Sequence, residues 1–136
     1  MKKTLFNLIA LATLLLSACG ANANSGPREI GTLESVPGDY AGKTNPLGTD
    51  AFTDGATVFK TNCETCHGPQ GHGDGPIGEA LDPKPQNLAA LQAVATDDYL
   101  YWRISEGKPG TSMPPWKNIL TEEQIWQLIA LIRTLK

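Results

Sequence analysis

The sequence predicts an all-α fold in which a first and a last helix cross. One helical stretch runs from Asp54 to the cysteines at 63 and 66, another follows Thr121, and a third lies between them from Thr96. Each carries a start signal and apolar residues at helical spacing. The third observation is what the first stretch leads into, Cys63-Glu64-Thr65-Cys66-His67, a C-x-x-C-H spacing.

From the N-terminus, Lys2 and Lys3 precede an apolar run from Leu5 to Leu16. The run is too short to span a bilayer comfortably and has the charged and apolar regions of an export signal, so residues 1–18 read as a signal peptide. Its end, Leu16-Ser17-Ala18-Cys19, resembles the bacterial lipoprotein signal. That resemblance implies cleavage before Cys19, acylation of its sulfur, and an exported chain held on the periplasmic or outer face of the membrane. An ordinary signal peptide with a chance cysteine is the alternative.

Residues 19–51 read as a lipid-anchored tether. Gly20 to Pro27 is small and polar, and Pro37-Gly38 and Asn45-Pro46 interrupt the remainder without a sustained apolar period. As a flexible coil such a segment spans roughly 30 Å and at most about 100 Å. A rival reading has Leu33, Val36, Tyr40 and Leu47 pack along a neighbouring subunit.

The folded domain is expected over residues 52–136. Asp54 can cap a first helix through Gly55, Ala56, Val58 and Phe59, with Gly55 and Phe59 on one face. Gly55 would admit a bulky residue of the last helix, Trp126 or Ile129. The helix delivers Cys63, Cys66 and His67. At this spacing two thiols can add across the two vinyl groups of haem, and the histidine can bind iron as the proximal ligand. A redox dithiol would need a surrounding βαβ pattern, and a usual zinc site a second ligand pair, yet no cysteine follows Cys66.

The third helix starts at Thr96, with Asp97 and Asp98 at its positive end, and stops at Gly107. A proline-rich loop follows and carries Met113, the one methionine besides the initiator. If the sixth iron ligand is a thioether, Met113 supplies it, and Pro114 and Pro115 would stiffen the loop around a weak bond. A gap-filling methionine is the plain alternative. Thr121-Glu122-Glu123-Gln124 then forms a capping box ahead of a broad apolar arc from Ile125 to Leu135.

Three other residues invite a role. His72 is too close to His67 in sequence to reach the opposite iron face easily, so it reads as a loop residue. Arg103 and Trp116 can donate to a haem propionate, the first by a charge-assisted bond and the second through its indole N–H.

Cysteine and charge counts agree with this reading. One acylation and two thioethers use all three cysteines, leaving none for a structural disulfide. Fourteen acidic residues exceed eleven basic ones even before Lys2 and Lys3 are removed, and no basic stripe interrupts the balance, which excludes nucleic acid as a partner. With three residues each of Phe, Tyr and Trp the core is modest, so haem should complete it.

The stretch from residue 52 to the C-terminus resembles the class I c-type cytochromes. In that family a helix bearing the haem motif crosses a C-terminal helix, and a loop before the last helix presents an axial methionine. Cys63, Cys66, His67 and Met113 match those positions. The resemblance implies a cytochrome c fold, one covalent haem c, and a proline about ten residues after the histidine whose carbonyl orients the imidazole. Pro76 is the counterpart here, with Asp82-Pro83-Lys84-Pro85 as a second candidate. Saturated axial coordination implies a one-electron carrier in a respiratory or photosynthetic chain and no catalysis by the chain itself. A five-coordinate gas sensor or peroxidase, or a metal-binding structural lipoprotein, is the alternative.

The segments Tyr101–Gly107 and Met113–Lys117 also resemble those of the mono-haem subunit of alternative complex III. This implies a place among the subunits of a membrane quinol-oxidising complex, with a copper protein, a cytochrome c or a terminal oxidase as acceptor. A free-standing lipoprotein cytochrome is the rival.

Overall fold

The structure is a computed structural model and describes residues 30–136; the expected signal peptide and Cys19 lie outside the described residues. Among the described residues the chain is all-helical, with α1 Phe52–Asn62, α2 Glu64–His67, α3 Leu88–Leu91, α4 Asp97–Glu106 and α5 Glu122–Ile132. Single 3-10 turns form at Thr49–Ala51 and Gly78–Ala80.

Helix α5 begins where its side chains can satisfy its first amides. Thr121 Oγ1 accepts from the Gln124 N–H at 3.2 Å, and Gln124 Oε1 accepts from the Thr121 N–H at 2.9 Å, completing the expected capping box. Ile125, Leu128, Ile129 and Ile132 then recur at helical spacing and are buried with Trp126.

That face meets α1 at a glycine. A Cβ on Gly55 would stand 2.1 Å from the carbonyl oxygen of Gln127 and 3.2 Å from Leu131 Cβ, so only a bare Cα lets the two backbones cross here. The partner of Gly55 is therefore the Gln127 backbone and Leu131, in place of the Trp126 or Ile129 side chains expected. Trp126 instead packs on Tyr101 of α4, with ring centroids 4.4 Å apart.

The start of α1 also differs from expectation. The 3-10 turn feeds directly into Phe52, and Ala51 caps the helix without a side-chain bond. Asp54 thus sits inside the first turn, where its charge meets the positive end of the helix. Helix α4 follows the sequence more closely, with Thr96 as N-cap, Asp97 and Asp98 in the first turn, and Gly107 at φ +68° ending it. Arg133, just past α5, closes the bundle by donating through Nη2 to Asp97 Oδ1 at 2.6 Å.

The flexible tether is corrected for residues 30–51. Ile30, Leu33, Val36, Tyr40 and Leu47 pack against the core of their own domain. Polar bonds fix the same strap. Gly42 N–H donates to Asp98 Oδ2 at 2.8 Å, Asn45 N–H to Asp97 Oδ2 at 3.1 Å, and Asn45 Nδ2 to the Trp126 carbonyl at 2.9 Å. Tyr40 Oη donates to Glu106, and Glu34 pairs with both Arg103 and Lys108. The acidic first turn of α4, which completes no cap of its own with Thr96, serves as acceptor for strap amides.

Candidate functional site

Helix α1 ends at Cys63, whose N–H still donates to the Phe59 carbonyl at 2.8 Å, and α2 starts with the next residue. Within this one short turn, His67 N–H donates to the Cys63 carbonyl at 2.8 Å, so both cysteines and the histidine are held by backbone bonds. A loop then folds back and satisfies the end of α2. The Gly73, Gly75 and Ile77 amides donate to the carbonyls of His67, Cys66 and Thr65 at 2.8, 3.2 and 3.0 Å. This approach requires glycine. A Cβ on Gly78 would meet the Cys66 carbonyl oxygen at 2.0 Å, and one on Gly75 the Thr65 oxygen at 2.5 Å.

A cavity of about 410 Å³ opens beside this turn, within the size range of about 300–1,000 Å³ usual for cofactor pockets. Cys63, Cys66, His67 and Met113 all line it. Its walls are mostly apolar, with Leu81, Leu88 and Leu91 on one stretch of chain and Leu100, Ile104 and Ile132 on the last two helices. Gly31 to Glu34 of the strap line it as well.

The imidazole of His67 is oriented from behind. Its Nδ1 lies 3.2 Å from the carbonyl oxygen of Gln86, which can only accept, so Nδ1 carries the proton and Nε2 is left with its lone pair. Burial lowers the histidine's pKa, and the bond to Gln86 only partly offsets this, so the ring is neutral at pH 7. The Cys63 thiol is pushed up to about 12, by burial first and by neighbouring Cys66 second. No disulfide joins Cys63 to Cys66.

The orienting carbonyl is a correction. Pro76 is exposed, lies outside the cavity lining, and belongs to the loop folded over the end of α2. The chain returns to the imidazole only after the second proline cluster, and it is Gln86, next to Pro85, that accepts from Nδ1.

Met113 is half-buried, with its N–H donated to Thr111 Oγ1 and its carbonyl accepting from the Lys108 N–H, both at 3.1 Å. Trp116 lines the cavity too, and its backbone N–H is tied to the end of α4 through the Ile104 and Ser105 carbonyls. His72 faces elsewhere, with Nε2 3.0 Å from the Lys136 carbonyl oxygen.

Arg103 lines the cavity and is buried, with its guanidinium stacked 3.6 Å from the centre of the Trp102 ring. Glu34 takes Nη2, and the Gly107 carbonyl lies 3.5 Å from Nη1, but Nε is buried with no partner. An orphaned cationic donor in an apolar cavity fits a carboxylate arriving with a cofactor. Two thiols, a neutral imidazole with a free nitrogen, a thioether and this guanidinium together fit haem. They suit a zinc ion poorly, since no group of three or more His, Cys, Asp or Glu is arranged for a metal among the described residues.

Fold and site define a class I c-type cytochrome, with covalently bound haem c as its cofactor. The chain belongs to the family described as cytochrome c oxidase, cbb3-type, subunit III, whose sequence model matches residues 50–132. Among solved structures it is similar to the KustC0563 c-type cytochrome, with 31% identity and a TM-score of 0.53, covering 60% of this chain and 96% of that one. The Kuenenia stuttgartiensis reducing HAO-like protein complex Kustc0457/Kustc0458 shares the fold at 24% identity and a TM-score of 0.58. That match covers 67% of this chain, which spans about half of the other, 47%. Among curated proteins no match is found.

The glycines at 75 and 78, Gln86 and the strap's Glu34 are site residues that sequence reasoning missed. The tight spacing of Gly71, Gly73, Gly75 and Gly78 was the available signal of close backbone packing.

Proposed function

We propose that the chain is a membrane-anchored electron carrier in which His67 and Met113 bind the haem iron from opposite faces. The observation that carries this reading is that both residues line one cavity together with Cys63 and Cys66. Haem c supplies a one-electron iron couple. The protein's part is to hold it still and dry: Gln86 fixes the imidazole, the loop fixes the thioether, and the apolar walls keep water from the iron. With His67 and Met113 both holding the iron no site would remain for a substrate, so the chain would relay electrons and catalyse nothing alone. A thioether ligand also raises the potential relative to two imidazoles. Redox titration of the purified holoprotein should give a single one-electron transition, with no carbon monoxide binding to the reduced form at pH 7. Prompt carbon monoxide binding would favour a five-coordinate sensor or peroxidase.

We propose further that acylated Cys19 anchors the chain on the periplasmic or outer face of the membrane. Because Ile30 already packs on the domain, only residues 20–29 separate the lipid from the strap. Ten residues reach at most about 35 Å, which keeps the cavity beside Gly31–Glu34 near the bilayer. Such a carrier suits a subunit of a quinol-oxidising membrane complex, passing electrons to a copper protein, a cytochrome c or a terminal oxidase. The family's description favours a second reading, a subunit of an oxidase. Cys19→Ser should move the protein from the membrane to the soluble fraction. Gentle purification of the wild type from native membranes separates the two assemblies by their companions, and recovery of a lone lipoprotein would contradict both.

A further inference from the structure

The loop that carries Met113 is built as a closed ring on the end of α4. Its two ends meet at Gly107, where the chain adopts φ +68° and a Cβ would stand 2.5 Å from the Met113 carbonyl oxygen and 2.6 Å from the Pro114 carbonyl carbon. One residue on, the Lys108 N–H donates to that same Met113 oxygen at 3.1 Å. Across the ring, the Thr111 hydroxyl accepts from the Met113 N–H at 3.1 Å and donates to the Lys108 carbonyl at 2.8 Å. Both backbone polar groups of Met113 are thus satisfied inside the ring, and its peptide rests on a buried glycine.

We propose that Gly107 and Thr111 are positioning residues for Met113, setting where its sulfur stands in the cavity although neither bonds to it. The proposal rests on the reading of Met113 as an iron ligand. A thioether is a weak ligand for ferric iron, so the bond persists only if the backbone holding it is already in place. Displacing the 113–114 peptide to make room for a Cβ moves the sulfur off the iron.

Gly110 provides an internal control. It has φ +76° in the same loop, but a Cβ there would meet nothing within 4 Å. Gly110→Ala therefore puts a side chain on another positive-φ glycine of the loop without touching Met113. The test compares Gly107→Ala, Gly110→Ala and Thr111→Val as holoproteins, reading the Met-to-ferric-iron charge-transfer band and carbon monoxide affinity after reduction. Gly107→Ala is expected to lose the band and to bind carbon monoxide about tenfold tighter or more, with Gly110→Ala like wild type. Should Gly107→Ala fail to take up haem, Thr111→Val decides, since it adds no clash at Gly107 and, by exchanging the hydroxyl for a methyl, removes only the two bonds that tie Met113 N–H to the Lys108 carbonyl. Retention of the band in the deciding variant overturns the proposal, and so does an equal loss in Gly110→Ala. A wild-type protein without the band would instead remove Met113 as a ligand.

Discussion

Gly55 of α1 and Gln127 of α5 touch backbone to backbone, the space for a Cβ on the glycine ending 2.1 Å from the glutamine carbonyl oxygen. This contact fixes the crossing of the two helices and, through α1, the position of Cys63 at its end. Gly55→Ala must spread two packed helices, at a cost of about 3 kcal/mol or more. Thermal unfolding of the holoprotein should show a fall in Tm of about 10 °C or more. An unchanged Tm would mean that the crossing tolerates a side chain.

The loop over α2 makes a parallel demand. Gly78→Ala would place a methyl group 2.0 Å from the Cys66 carbonyl oxygen, displacing either the loop or the turn that presents both thiols. Covalent haem content per chain, measured by pyridine haemochrome after co-expression with maturation machinery, should fall about tenfold relative to wild type. Full loading would show that the turn keeps its shape without the close loop.

The crossing helices and the haem motif were legible because their signals are local. The capping box at Thr121 and Gln124, the helix start at Thr96 and the stop at Gly107 each lie within a few residues of sequence. The strap was not legible, because its affinity for the domain is spread over Leu33, Val36, Tyr40 and Leu47 at no regular period, and over backbone amides bonded to Asp97 and Asp98 about fifty residues away. Pro76 stands at the distance from His67 that the family resemblance implies for the orienting proline. The loop glycines turn that proline outward over α2, and the chain needs ten more residues to bring Gln86 back to the imidazole.

The strap should release in acid. Glu34 is held below its ordinary value of 4.5, chiefly by the hydrogen bond from Lys108, and Glu106 likewise by Tyr40 and then Lys117. Asp98 is lowered by the Thr96 hydroxyl first and the Gly42 amide second. Because these folded pKa values lie below the unfolded ones, their contribution is complete above the ordinary carboxylate range. It disappears as pH falls through the lowered values. Tyr40 marks the other limit. Its phenol is raised to about 12, mainly by Glu106, so its contribution is complete below its ordinary value of 10.0 and is lost as pH rises through about 12. Hydrogen exchange of the Gly42 and Asn45 amides should be slow between these limits and accelerate below about pH 4, ahead of the core. Exchange that is fast and independent of pH from 5 to 9, after correction for intrinsic rates, would mean that the strap is not docked.

The assignment of both axial ligands is tested most directly by the ferric absorption spectrum of wild type beside Met113→Ala, each purified with its haem attached. Wild type should display the weak near-infrared-edge transition of a sulfur-to-iron bond. The alanine variant should lack it, and should bind carbon monoxide once reduced. Identical spectra for the two proteins would contradict His67 and Met113 as the pair that closes the iron.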